Sequence, residues 1–155
     1  MSVTRVSRTA GLVMLSTPAP TPRDGFRVSA QQLLNGFETL AQQNPPPWMA
    51  CAVLAGFAVE CALKAYLAGG FVSAGALAKR PYGHNLTALW KEAVKNGLKV
   101  AKRPPSWCVA LHQLTTGPRF LARYHTGVHG LSFPPMGRML RGIRRLLLSV
   151  ESTFR

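Results

Sequence analysis

The side chains able to do chemistry are few, and two of the four histidines fall in one irregular run, RFLARYHTGVHGLSF, from Arg119 to Phe133. That run carries Arg119, Arg123, Tyr124, His125 and His129. Histidine has the side-chain pKa nearest neutrality and can take or give a proton. Arginine presents a planar fork that grips phosphate and keeps its charge. The other two histidines stand apart. His84 sits just before a helix start, where a local hydrogen bond or packing under a neighbouring helix would use it; His112 reads as a partly buried helix residue. Glu60 and Lys64 form the one other polar constellation, four residues apart in an apolar stretch. Two readings are open for them: an intrahelical ion pair on the one wet stripe of a helix, or Glu60 reaching a basic group such as His84 or Arg123 and positioning it. The sequence contains no zinc-ligand spacing, no P-loop, no dinucleotide glycine fingerprint and no carboxylate pair. Five acidic residues leave little for a Mg²⁺ site, so neither metal nor cofactor is expected.

Charge sets the class of partner. The 155 residues hold 19 Lys and Arg against 5 Asp and Glu, a formal net charge of +14. Between Cys61 and Val150 the only acid is Glu92. Such a field favours polyanions, either nucleic acid or an anionic membrane, unless it is only an over-basic surface. Cys51, Cys61 and Cys108 show no C-x-x-C spacing. Cys51 and Cys61 would stand ~15 Å apart along one helix, too far to bridge. Buried free thiols in a reducing, cytoplasmic setting are the expectation.

These groups need a frame, and Trp48 to Ala68, WMACAVLAGFAVECALKAYLA, supplies its axis. The stretch follows Pro45-Pro46-Pro47 and stops at Gly69-Gly70, in keeping with proline at the start and glycine just past the end of a helix. A helix apolar all round must be covered all round. The Glu60/Lys64 pair argues against a membrane span, so a central core helix is expected. Ser29 and Gln32 fit a capping box that opens an amphipathic helix over 29–43, antiparallel to the core helix. Asn85 can cap a helix with Leu86, Leu89, Trp90, Ala93 and Val94 as its apolar stripe. Ser106 can cap a shorter one carrying Trp107, Ala110, Leu111 and Leu114, and 135–153 forms the last, with arginines opposite its apolar seam. The arginines read equally as a solvated face or an RNA-binding track. No strand-length stretch alternates with β-branched residues. The expected fold is therefore all-α: an up-down bundle of four or five helices around a central apolar helix, spanning 28–155. Residues 1–27 read as a disordered, basic, Pro-rich tail. Its short apolar run, AGLVML, lacks a convincing cleavage site, and Met14 is a second candidate translation start.

Three motifs in order resemble the HEPN (higher eukaryotes and prokaryotes nucleotide-binding) domain superfamily. The first is A-x-E-x-x-L-K-A-x-L, carried by Ala58, Glu60, Leu63, Lys64, Ala65 and Leu67. The second is G-H-[ND]-L-x-x-L-W, carried by Gly83, His84, Asn85, Leu86, Leu89 and Trp90. The third is the R-Y-x-T-G-V-H-G segment, which starts at Arg123. The resemblance covers about residues 28–153. It implies a helical bundle that commonly dimerises, a basic cleft, and in many members a metal-independent endoribonuclease of toxin-antitoxin or defence type. Such members carry an Arg and a His separated by four to six residues, and the match here is Arg123 with His129, five residues between them. A small nucleotidyltransferase encoded alongside is a frequent partner. Other members only bind nucleotide or act as scaffolds.

On that footing Arg123 would stabilise the phosphate in flight and His129 would transfer the proton. Tyr124, His125, Arg119, Arg138 and Arg141 would contact substrate, with Glu60, Lys64 and His84 in support. A symmetric dimer would bring two Arg/His pairs to one cleft, supplying acid and base together. Against this stands a loop in which Arg123 and His129 only satisfy stray carbonyls. The competing functions are a non-catalytic nucleotide-binding or protein-interaction domain, and a basic membrane-surface protein using its last helix.

Overall fold

Six α-helices and one short strand pair make up the regular structure of the described residues. A computed structural model describes residues 5–9, 12–16, 21–116 and 132–154. In order these are β1 (Arg5–Thr9), β2 (Leu12–Ser16), α1 (Pro22–Ala41), α2 (Trp48–Leu67), α3 (Ala74–Leu77), α4 (Leu86–Lys95), α5 (Ser106–Thr115) and α6 (Met136–Glu151), closed by a 3₁₀ turn over Ser152–Phe154. The helical class matches expectation, and α3 is the one short helical turn that the Gly/Ala-rich connection from Phe71 to Gly83 allowed. β1 and β2 pair antiparallel, Arg5 opposite Ser16 and Thr9 opposite Leu12, where a disordered tail was expected.

The tail also ends earlier than its expected boundary at 27. Pro22 occupies the first helical position of α1, and the Thr21 side chain accepts from Asp24 N at 3.2 Å. The Thr21 hydroxyl in turn donates to the Asp24 carboxylate at 2.6 Å. Proline without an N–H to lose, a hydroxyl cap and an acid in the first turn make a strong start. The Ser29/Gln32 box therefore lies inside a helix already running.

α2 is the axis, as its composition demands. Thirteen of its residues are buried, among them Ala55, Val59, Leu63 and Leu67 at 0% exposure. By length and composition it could cross a membrane, but 72% of its most apolar window is buried inside the fold. α1, α4, α5 and α6 all pack on it. α1 presents Ala30, Leu34 and Phe37, with Gly36 in ordinary contact distance of the Leu54 side chain. α6 buries Met139, Ile143, Leu146, Leu147 and Val150. Its polar side pairs back to α1 through Arg144 Nε to Glu38 at 2.7 Å and Arg27 to Glu151 at 3.3 Å. Those two pairings run in opposite chain order, so α6 is antiparallel to α1. A plain alternation of the five long helices would instead make them parallel.

The three thiols are free. Burial pushes Cys108 up to about 12 and Cys61 up to about 11; at Cys61 the Glu60 charge adds to the rise and Lys64 opposes it. At pH 8 a thiol of pKa about 11 is thiolate in about one molecule per thousand, and the thiolate is the nucleophile. Native protein treated with iodoacetamide at pH 8 is therefore expected to leave Cys61 and Cys108 unlabelled, whereas urea-unfolded protein takes up label at both. Intact mass and peptide mapping check this, and rapid labelling of native Cys108 would contradict the burial.

Candidate functional site

Glu60 and Lys64 lie on the buried side of α2, each 6% exposed, and not on a wet stripe. Lys64 Nζ donates to Glu60 Oε1 at 2.7 Å. The ring of Phe26 on α1 lies 5.8 Å from the same ammonium. The carboxylate has a second partner, since His84 Nδ1 stands 3.0 Å from Oε2 and 3.2 Å from Oε1. Of the two readings open for Glu60, contact with His84 is the one the geometry contains, alongside the intrahelical pair.

The chain reaches this point through a tight turn. Gly83 N donates to Lys79 O at 2.8 Å and Asn85 N to Tyr82 O at 2.6 Å. Gly83 sits at φ +38°, a left-handed conformation that glycine adopts without penalty. Asn85 then caps α4, its side chain accepting from Ala88 N at 3.0 Å. His84 is thus pinned between a turn and a cap. Its Nδ1 is held toward Glu60 while its side chain stays 64% exposed. An ionised carboxylate only accepts hydrogen bonds, so the contact selects the tautomer with hydrogen on Nδ1. Nε2 is then the proton-accepting atom. A buried acid orienting an exposed imidazole is the arrangement of a base with its orienting group.

The other proposed site residues divide in two. Arg138 and Arg141 are exposed on the first turns of α6, with no hydrogen bond or ion pair joining them to Glu60, Lys64 or His84 among the described residues. Arg119, Arg123, Tyr124, His125 and His129 lie outside the described residues. The residues flanking them are anchored on α2. Thr115 packs so closely on Gly56 that a Cβ there would meet its methyl at 2.8 Å. Gly56 is one turn ahead of Glu60 on the same face. On the other side, Phe133 lies 5.5 Å from Trp48, ring centre to ring centre.

Two further features escaped the sequence reading. At one end of the bundle a cavity of about 670 Å³ is lined by Arg23, Arg27, Glu151 and Phe154. Arg23 stacks over the Phe154 ring at 3.7 Å, and its Nε is buried with no partner among the described residues. A Gly142 inside the amphipathic last helix was the legible clue to the second, a close approach by Trp107. His112, bonded through Nδ1 to Thr116 Oγ at 2.6 Å, has its pKa lowered by burial. Among the described residues no three His, Cys, Asp or Glu side chains gather as a metal site.

In comparisons with known proteins, no family model, no curated protein and no solved structure matches this chain.

Proposed function

We propose that this chain is a HEPN-like RNA-binding protein of the toxin-antitoxin or defence type, cleaving RNA without metal through Arg123 and His129. The observation that supports it best is the meeting of two motifs far apart in sequence. The Glu60 and Lys64 of the core-helix motif and the His84 of the G-H-N-L motif share one hydrogen-bonded centre. Their apolar companions Leu63, Leu86 and Leu89 are fully buried beneath it. The spacing of both motifs thus has a physical use in one bundle. The net charge of +14 supplies the attraction for a polyanion. In this reading Arg123 holds the phosphate and His129 moves the proton. Tyr124, His125, Arg119, Arg138 and Arg141 grip the strand, and Glu60, Lys64 and His84 shape the nearby surface. A homodimer would complete the cleft with a second pair, and a neighbour-encoded nucleotidyltransferase would be the controlling partner.

The test is RNA degradation in EDTA. Wild type is expected to cleave and His129→Ala to bind but not cleave, with an unchanged circular-dichroism spectrum. Binding should fall steeply with salt, because phosphate contacts release counterions. If wild type binds RNA in EDTA and leaves it whole, the reading gives way to a non-catalytic nucleotide-binding or interaction domain.

A further inference from the structure

A groove of about 510 Å³ opens between α4, α5 and α6. Its floor is built from two indoles in edge contact, Trp90 and Trp107, with ring centres 6.0 Å apart and planes at 79°. The two rings are satisfied differently. Trp90 Nε1 donates to Ala101 O at 2.8 Å and so ties down the basic loop. Trp107 is 6% exposed, yet its Nε1 has no acceptor among the described residues and lies along the groove wall beside Gly142. A Cβ at position 142 would come within 2.5 Å of that nitrogen. That N–H is reachable from the groove and available to an acceptor bound there.

Three other features converge there. Lys99 and Arg145 stand on the rim, both exposed, and neither is ion-paired to a carboxylate among the described residues. α5 begins at the groove with Pro105 as its N-cap and no side-chain cap, leaving its first main-chain N–H groups open. The opposite wall is apolar: Val100 and Leu148 face the opening, Leu148 with 69% of its surface exposed.

We infer that this groove binds a small amphiphilic anion, an acidic oxygen head on an apolar ring. The head takes the indole N–H and the two rim cations; the ring lies against Val100 and Leu148. A cavity of this size accommodates one such molecule and not a folded partner. The inference does not rest on the nuclease reading: of that reading's described residues, Glu60, Lys64, His84, Arg138 and Arg141, none lines the groove.

Phenyl phosphate is the probe, titrated at fixed ionic strength and followed by calorimetry and tryptophan fluorescence. One saturable site is expected, with inorganic phosphate and phenol each binding at least about tenfold more weakly, since each supplies half of the contacts. Arg145→Ala should weaken phenyl phosphate by about tenfold, the loss of one charge-assisted contact. Lys79→Ala removes the same charge from an exposed position that does not line the groove and should change binding by less than about twofold. Trp107→Phe should weaken binding severalfold; Arg145→Ala and Lys99→Ala, both at exposed positions, keep the test valid if that variant folds poorly. Failure to saturate, or equal losses in Arg145→Ala and Lys79→Ala, would overturn the inference by reducing the effect to the general positive field.

Discussion

Glu60→Ala is expected to destabilise the protein by about 3–5 kcal/mol, the usual cost of leaving one member of a buried ion pair alone. Lys64 is 6% exposed, and its one hydrogen-bond partner among the described residues is Glu60. With the carboxylate gone, the ammonium must be neutralised in place or pulled to water past α1. Lys64→Met costs less, because Glu60 keeps His84 as a partner. Glu60→Leu combined with Lys64→Met should recover most of the loss, since two apolar groups of similar volume remove both desolvation costs. His84→Ala, at a side chain 64% exposed, should cost less than about 1 kcal/mol. Urea unfolding monitored by circular dichroism reads all four. A shift below about 1 kcal/mol for Glu60→Ala would mean that water reaches Lys64, and the centre would then be a surface feature. Total stabilities near 5–15 kcal/mol make the expected loss a large fraction of what holds the fold.

Phe37→Ala should be comparably damaging, at about 3–5 kcal/mol. Phe37 is wholly buried where α1 meets α2, the most extensive interface in the bundle. At neighbouring Gly36 a Cβ would touch the Leu54 side chain at 3.4 Å, an ordinary van der Waals contact. A ring so fully enclosed has close-packed neighbours that collapse only partly into the space it leaves, so the cavity term adds to the transfer term. Leu148→Ser is the contrast: also a large apolar residue on a long helix, but 69% exposed, it should shift stability by less than about 0.5 kcal/mol. Thermal and urea midpoints for the pair check the claim. A loss under about 1 kcal/mol at Phe37 would show that α1 is loosely docked.

Each element was legible to a different degree, for identifiable reasons. Asn85 caps α4 as its position before an apolar 3.6-residue period implied. α2 is buried as its lack of a polar face required. The start of α1 was misplaced because two start signals compete: Ser29 with Gln32, and Thr21-Pro22-Arg23-Asp24. The earlier one wins because the helix gains extra turns that seat Phe26 against Lys64 and Arg27 against Glu151. Ser106 was expected as a cap, but the helix opens one residue sooner and Pro105 takes that place.

Composition and periodicity by themselves determined that this chain folds into helices around one apolar rod and carries a large excess of positive charge. Both are sums or local repeats, indifferent to which helix lies beside which. Only the tertiary structure decided that Glu60 and Lys64 are buried, because i, i+4 spacing is the same on a wet face and a dry one. It also decided that Glu60 meets His84 and that Trp107 meets Gly142. Those encounters join residues from separate helices and turns, and their geometry is set by packing angles that no local pattern contains.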